Sequence, residues 1–161
     1  MMIWYSFFLI PMLCLVACRD TQNMQDQIDD LTVQLANSYK PGFGEFMSSI
    51  QVHHAKLWFA GKNKNWKLAD FELNEMNETV EAIQKYQKER KESQAISIIS
   101  PAIDSVKLAI QQQNVKLFTQ TYASLTNTCN TCHRAVKFEF NVVKIPETPP
   151  FSNQDFSVRN P

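Results

Sequence analysis

Cys129-Asn130-Thr131-Cys132-His133 is the stretch of the chain whose residue types and spacing most directly carry chemistry. Two thiols separated by two residues and followed at once by an imidazole form the attachment pattern of c-type haem. Each thiol adds across one vinyl group of the porphyrin to give a thioether, and the adjacent imidazole is placed under the iron as its proximal ligand. On a helix all three side chains project from one side, because Cys132 lies three residues and His133 four residues beyond Cys129. Other chemistries use a similar pair of thiols. A thioredoxin-type redox pair wants a preceding strand and an alternating βα pattern, which the flanking sequence lacks. Structural zinc needs two further ligands, for which His53 and His54 are the candidates, and a plain disulfide suits an exported protein.

Export is itself written at the start of the chain. Met1 to Ala17 carry no charged side chain and form one apolar run before the polar Arg19-Asp20-Thr21. The run is short for a permanent membrane helix, contains Pro11 and ends in a small residue, so residues 1–17 read as a signal peptide and an uncleaved anchor is the alternative. The junction Leu15-Val16-Ala17-Cys18 resembles the bacterial lipobox, in which the cysteine becomes the lipidated N-terminus. Cys18 is then the lipidation site, and its acyl chains hold the protein on the periplasmic side of a bacterial membrane. A secreted protein with a spare cysteine is the other reading. With Cys14 lost in the leader and Cys18 taken by lipid, Cys129 and Cys132 are the thiols left to the folded domain.

The elements that must position them are helical. The chain has 161 residues, 16 basic against 16 acidic side chains, 44% hydrophobic residues and only three glycines. That length holds one domain with its leader, and a balanced charge gives no electrostatic footprint for nucleic acid. Only three Gly, with Val and Thr fewer than Gln and Lys, argue against a many-turned β fold.

Apolar residues recur at alternating steps of three and four, the pattern of helices packed along one seam. One stripe is Val115, Phe118, Tyr122, Leu125, Cys129, Cys132 and Val136, so both cysteines continue a core-facing stripe and the haem faces the bundle interior. Trp66, Ala69, Leu73, Met76, Val80 and Ile83 form a second, and Ile99, Ile103, Val106 and Ile110 a third. Phe43, Phe46, Met47, Ile50, His54, Leu57 and Trp58 form a fourth. The expected fold is all-α, an antiparallel up-down four-helix bundle spanning residues 41–137 with covalent haem near the C-terminal end of the last helix. Helices are expected near 42–60, 66–91, 101–112 and 114–137, with Asn65 and Ser100 as N-caps and a break at Asn114. Residues 18–40, with Met24, Ile28, Leu31 and Leu35 at helical spacing, are a tether or a short docking helix, and residues 138–161 are an extended Pro-containing tail that can lie on the bundle surface.

In such a bundle the late part of the last helix lies level with the early part of the first, which holds Phe43, Phe46, Met47 and Ile50. These residues are the expected distal wall of a haem site, with Met47 the preferred sixth iron ligand and core filler its alternative role. His54 is a further seven residues on, roughly 10 Å along the axis. One of His53 and His54 is expected to pack in the core or bond a propionate, and the other to face water. Arg134 and Lys137, close to His133, are cations within reach of propionates or simply solvated.

This arrangement resembles the class II c-type cytochromes, the cytochrome c prime group. The likeness covers roughly residues 42–137 and includes Met47 followed fourteen residues later by Gly61 at the end of the first helix. Val136 and Lys137 stand where members often carry an aromatic residue and an arginine. The resemblance implies one covalent haem c, no enzymatic role, and a homodimer as a possible assembly through the first two helices. The functions in view are a lipid-anchored electron carrier serving redox partner proteins, a five-coordinate protein that binds a small gas (NO or CO), and, last, a structural lipoprotein without haem. A peroxidase would want a distal acid or base over the iron, and His54 reaches that place only with a register shift of nearly two turns.

Overall fold

The computed structural model describes residues 21–35, Ser38 and residues 41–158. The leader at 1–17 and Cys18 lie outside the described residues. All regular structure among the described residues is helical. The chain divides into two units, residues 1–40 and 41–161.

In the first unit residues 21–35 form helix α1. Its surface is laced by one-turn side-chain pairs, Gln25 donating to Asp29 at 3.0 Å and Gln34 to Asp30 at 2.9 Å, of the kind that supports a solvated helix. Met24, Ile28, Leu31 and Leu35 are all exposed. No helix of the described residues is long and apolar enough to cross a membrane.

The second unit is a helical bundle with antiparallel packing. It contains α2 (Phe43–Lys62), α3 (Trp66–Tyr86), the short α4 (Lys91–Ala95), a 3-10 turn (Ile96–Ile99), α5 (Ser100–Gln111) and α6 (Val115–Ala135). Consecutive long helices α2 with α3 and α5 with α6 pack most extensively, and contacts of α3 with α5 and of α2 with α6 close the ring.

The two tight turns of the bundle are built alike. Asn63-Lys64-Asn65 joins α2 to α3 and Gln112-Gln113-Asn114 joins α5 to α6. At the first, Lys64 N–H donates to Gly61 at 3.1 Å and Asn65 N–H to Ala60 at 2.9 Å; at the second, Gln113 N–H donates to Ile110 at 2.9 Å and Asn114 N–H to Ala109 at 3.1 Å. These are Schellman endings, in which the last free carbonyls of the helix are satisfied by a chain that turns through a left-handed residue. That residue is Lys64 (φ 60°) and Gln113 (φ 50°), and Lys137 (φ 66°) ends α6 in the same manner. The following asparagine then starts the next helix: Asn65 Oδ1 accepts from Leu68 N–H at 3.3 Å, and Asn114 Oδ1 from Leu117 N–H at 3.0 Å. One motif therefore both stops a helix and caps its neighbour.

The connection from α3 to α5 differs from expectation. Helix α3 ends at Tyr86, not near residue 91, because Gln87-Lys88-Glu89-Arg90 offers nothing apolar to bury and the Gln87 side chain is drawn to the Pro41 carbonyl at 2.8 Å. The chain re-enters helix at α4, and the 3-10 turn buries Ile96 and Ile99. Ser100 lies inside the helical run and does not cap it with its side chain, while Pro101 occupies the first turn, where its missing N–H costs nothing.

The four apolar stripes form the core. Leu57, Ala69, Leu73, Met76, Ile83, Val106, Phe118, Tyr122 and Leu125 are essentially inaccessible, with Trp58 and Trp66 half-buried around the Phe118 ring. The tail from residue 138 is extended and lies on the bundle. Phe156 is buried against Phe59 with ring centroids 5.7 Å apart, and Asn65 Nδ2 donates to the Ser157 carbonyl at 3.1 Å.

Candidate functional site

A cavity of about 400 Å³ opens at the end of the bundle where α6 finishes and α2 begins. Its α6 wall carries Cys129, Cys132, His133 and Val136, and its α2 wall carries Phe43, Met47, Ile50 and His54. The structure thus brings Phe43, Met47, Ile50, Cys129, Cys132 and His133 together. Phe46 is not on the wall: it is 7% exposed in the core, because one residue is about 100° around a helix and carries it off the Met47 side of the stripe.

Other residues on the wall come from segments whose role was not legible in sequence. Arg90, Glu92, Ile96 and Ile99 belong to the α3–α5 connection, and Phe138, Asn141 and Val143 to the tail. Arg90 lies over the Phe43 ring, 5.1 Å from its centroid, and pairs with Glu92 at 3.2 Å. The hydrogen bond from Arg90 holds the Glu92 carboxyl below its usual range. Only their position beside the site, which no local pattern encodes, could have marked them.

The two thiols are unpaired, Cys129 buried and Cys132 half-buried. Burial, with Cys132 nearby, pushes the Cys129 thiol up to about 12, and burial also raises Cys132. Both are therefore protonated at neutral pH, and a thiol without thiolate character is a poor partner in disulfide exchange. His133 is half-buried at the end of α6, and its Nδ1 lies 2.6 Å from the Asn141 carbonyl oxygen. A carbonyl only accepts, so Nδ1 carries the proton and Nε2 keeps its lone pair for a ligand.

His54 sits deeper and is fully engaged. Its Nδ1 is 3.0 Å from the Tyr122 hydroxyl and its Nε2 is 2.9 Å from Thr126 Oγ1. The Tyr122 hydroxyl also donates to the His54 carbonyl at 2.8 Å, so Nδ1 is the ring donor and Nε2 accepts from Thr126. Thr126 Oγ1 lies 3.0 Å from the Tyr122 carbonyl as well. Filling all four contacts at once would take an imidazolium, but leaving one hydrogen bond unmade costs about 1 kcal/mol against several for a desolvated cation. Burial lowers His54 from 6.5 to about 4, in accord with the neutral ring. It also raises the Tyr122 hydroxyl, with Cys129 a smaller cause.

His53 does not face open water. Its Nδ1 lies 2.7 Å from Glu72 Oε2, and Lys56 Nζ is 3.9 Å from Glu72 Oε1. Glu72 is 1% exposed and joins α2 to α3 through His53 and Lys56. Its place between Ala69 and Leu73 on the core-facing stripe was a signal available in sequence. With His53 and His54 so committed, neither stands beside the two cysteines as a zinc ligand. Among the described residues no three His, Cys, Asp or Glu side chains converge on a metal-ion site.

No family model, no curated protein and no solved structure matches this chain.

Arg134 and Lys137 flank His133 in sequence but are exposed and not on the cavity wall. Arg134 donates to Thr131 Oγ1 at 2.9 Å, and Lys137 takes up the left-handed turn that ends α6. Among the described residues, Arg90 is the lysine or arginine on the cavity wall.

Proposed function

We propose that the chain is a membrane-anchored c-type cytochrome of the class II kind, a four-helix bundle holding one covalent haem and working as a periplasmic electron carrier. The observation that carries this reading is the shared cavity, in which the two thiols and the imidazole of Cys129 to His133 face an apolar wall supplied by Phe43, Met47 and Ile50. The donor set fits the group. Two protonated thiols suit thioether formation, His133 Nε2 is free to bind iron, and the remaining wall is mostly apolar. Haem bound there supplies a one-electron couple.

The chain's own residues divide the work. Cys129 and Cys132 would fix the porphyrin to α6, and His133 would bind its iron. Phe43 and Ile50 line the cavity and would exclude water from a group held there, with Phe46 backing them from the core. Met47 offers a thioether, a soft ligand that favours the reduced metal and raises its potential. Arg90 is placed to neutralise a haem carboxylate in exchange for Glu92. His54 does not act as a distal acid or base, since both of its nitrogens are spent on Tyr122 and Thr126. Lipid on Cys18 confines the carrier to a membrane surface shared with redox partner proteins, where pairing of two copies through the first two helices is the proposed assembly.

The test is an absorption spectrum of protein made in an exporting, haem-maturing host, taken oxidised, reduced, and reduced under carbon monoxide. A low-spin spectrum indifferent to the gas, with a sulfur-to-iron band lost in Met47→Ala, is the expected result. A high-spin spectrum that shifts at once with carbon monoxide would replace the electron carrier with a gas-binding protein.

A further inference from the structure

Asn130 occupies one of the two free places between the cysteines, and its amide does something specific with the tail. Nδ2 donates to the Val143 carbonyl at 2.8 Å, and Oδ1 accepts from the Val143 N–H at 2.8 Å. The side chain thus satisfies both backbone groups of one extended residue, as a neighbouring strand would, where no strand is present among the described residues. Two residues earlier the same tail presents the Asn141 carbonyl to His133 Nδ1 at 2.6 Å. The segment is pinned at its other end too. Phe138 N–H donates to the His133 carbonyl at 2.8 Å in the ending of α6, and Asn141 N–H donates to the Phe138 carbonyl at 2.9 Å. Residues 138–143 therefore form a short loop fastened at one end by the helix terminus and at the other by Asn130.

We infer that Asn130 is a positioning residue for His133: by clamping Val143 it fixes the Asn141 carbonyl against Nδ1, which selects the ring tautomer and orients the imidazole that binds the cofactor. The inference rests on the proposed haem site for its purpose, but the clamp and the tautomer belong to the polypeptide alone. Asn130 and His133 are three residues apart on α6 and lie on neighbouring positions of one side, so a single loop can reach both. An imidazole that donates its outer N–H to a carbonyl is held in one orientation and becomes a more basic ligand, which stabilises the oxidised metal and lowers its potential. Outer hydrogen bonds of this kind typically change metal affinity or activity about tenfold to a hundredfold when removed. Asn141 acts through its backbone, so its side chain is free to vary; the side-chain requirement falls on Asn130.

The test compares full-length protein with Asn130→Ala and with the near-isosteric Asn130→Asp, which sets a carboxylate oxygen against the Val143 carbonyl in place of a donor. Nitrogen NMR of histidine-labelled protein made without haem, with His133 assigned through His133→Gln, reads the tautomer at a pH where the ring is neutral, since iron on Nε2 would fix the proton on Nδ1. His133 is expected to be a single Nδ1–H tautomer in the parent protein. Both variants are expected to shift the tautomer ratio about fivefold to tenfold toward Nε2–H, as loss of one hydrogen bond would, with helix content by circular dichroism unchanged. In haem-loaded protein the reduction potential is expected to rise in Asn130→Ala, the variant that adds no charge beside the metal. A His133 tautomer that stays put in a folded variant overturns the inference, and if Asn130→Ala loses helix content then Asn130→Asp decides. Protein that carries no haem when made in a haem-maturing host contradicts the proposed function and leaves the tautomer to judge the clamp by itself.

Discussion

The His54 ring stacks on Tyr122 with centroids 4.6 Å apart, while the Tyr122 hydroxyl bonds both the ring nitrogen and the backbone carbonyl of His54. This pairing ties the middle of α2 to α6 at the inner wall of the cavity, and it holds a titratable group in a site that excludes its charged form.

Stability should therefore depend on pH through His54. The ring titrates at 6.5 when unfolded and at about 4 when folded, so between those values the unfolded chain binds the extra proton. His54's contribution is complete above pH 6.5, declines as the pH falls, and levels off near 4. At about 1.4 kcal/mol per pH unit the loss is on the order of 3 kcal/mol. Urea unfolding at pH 7 and pH 4.5 checks this: His54→Gln should be less stable at pH 7 yet lose less on acidification, and an equal loss in both proteins would refute the assignment.

Gly61 is required by its neighbour and not by its backbone angles. A Cβ there would collide with the Phe118 ring at Cζ, and Phe118 is fully buried between Trp58, Trp66 and Tyr122. The ring cannot retreat, so Gly61→Ala overpacks the core and should cost about 1–3 kcal/mol. Thermal unfolding reads the difference, and Phe118→Leu in the same background should recover part of it.

The left-handed positions Lys64 and Gln113 should behave in the opposite way. Each holds a side chain where glycine carries no Cβ penalty, and neither needs its side chain for the Schellman bonds, which are backbone to backbone. Gln113→Gly should raise stability by about 0.5–1 kcal/mol after the greater freedom of glycine in the unfolded chain is deducted. Chemical denaturation of Gln113→Gly, Lys64→Gly and the double variant should show gains that add, because the two turns are separate.

Sequence periodicity located the core well, because heptad spacing registers directly which side of a helix is buried. Leu73, Met76, Val106, Phe118, Tyr122 and Leu125 all stand on stripes readable without coordinates. Helix ends were harder. The Schellman endings at Lys64, Gln113 and Lys137 carry no glycine, the residue that usually announces them, although Asn65 and the break at Asn114 could be read. Antiparallel register brought Phe43, Met47 and Ile50 level with Cys129, but the register could not show that Phe46 turns inward. The third and fourth walls of the cavity, Arg90 to Ile99 and Phe138 to Val143, are set by how connections fold back over the bundle end, and no local pattern specifies that. Asn130 was read only as a spacer between cysteines; its bond to Val143 spans thirteen residues and leaves no periodic trace.

The most direct test of the account is whether Cys129 and Cys132 hold haem covalently. Protein from an exporting, haem-maturing host would be denatured, extracted with acid and organic solvent, digested, and the peptide spanning Cys129 to His133 weighed. The account predicts that this peptide retains the mass of one haem through both thioethers, and that Cys129→Ala with Cys132→Ala abolishes it. A peptide of unmodified mass, or one lighter by two hydrogens through a Cys129–Cys132 disulfide, would contradict it.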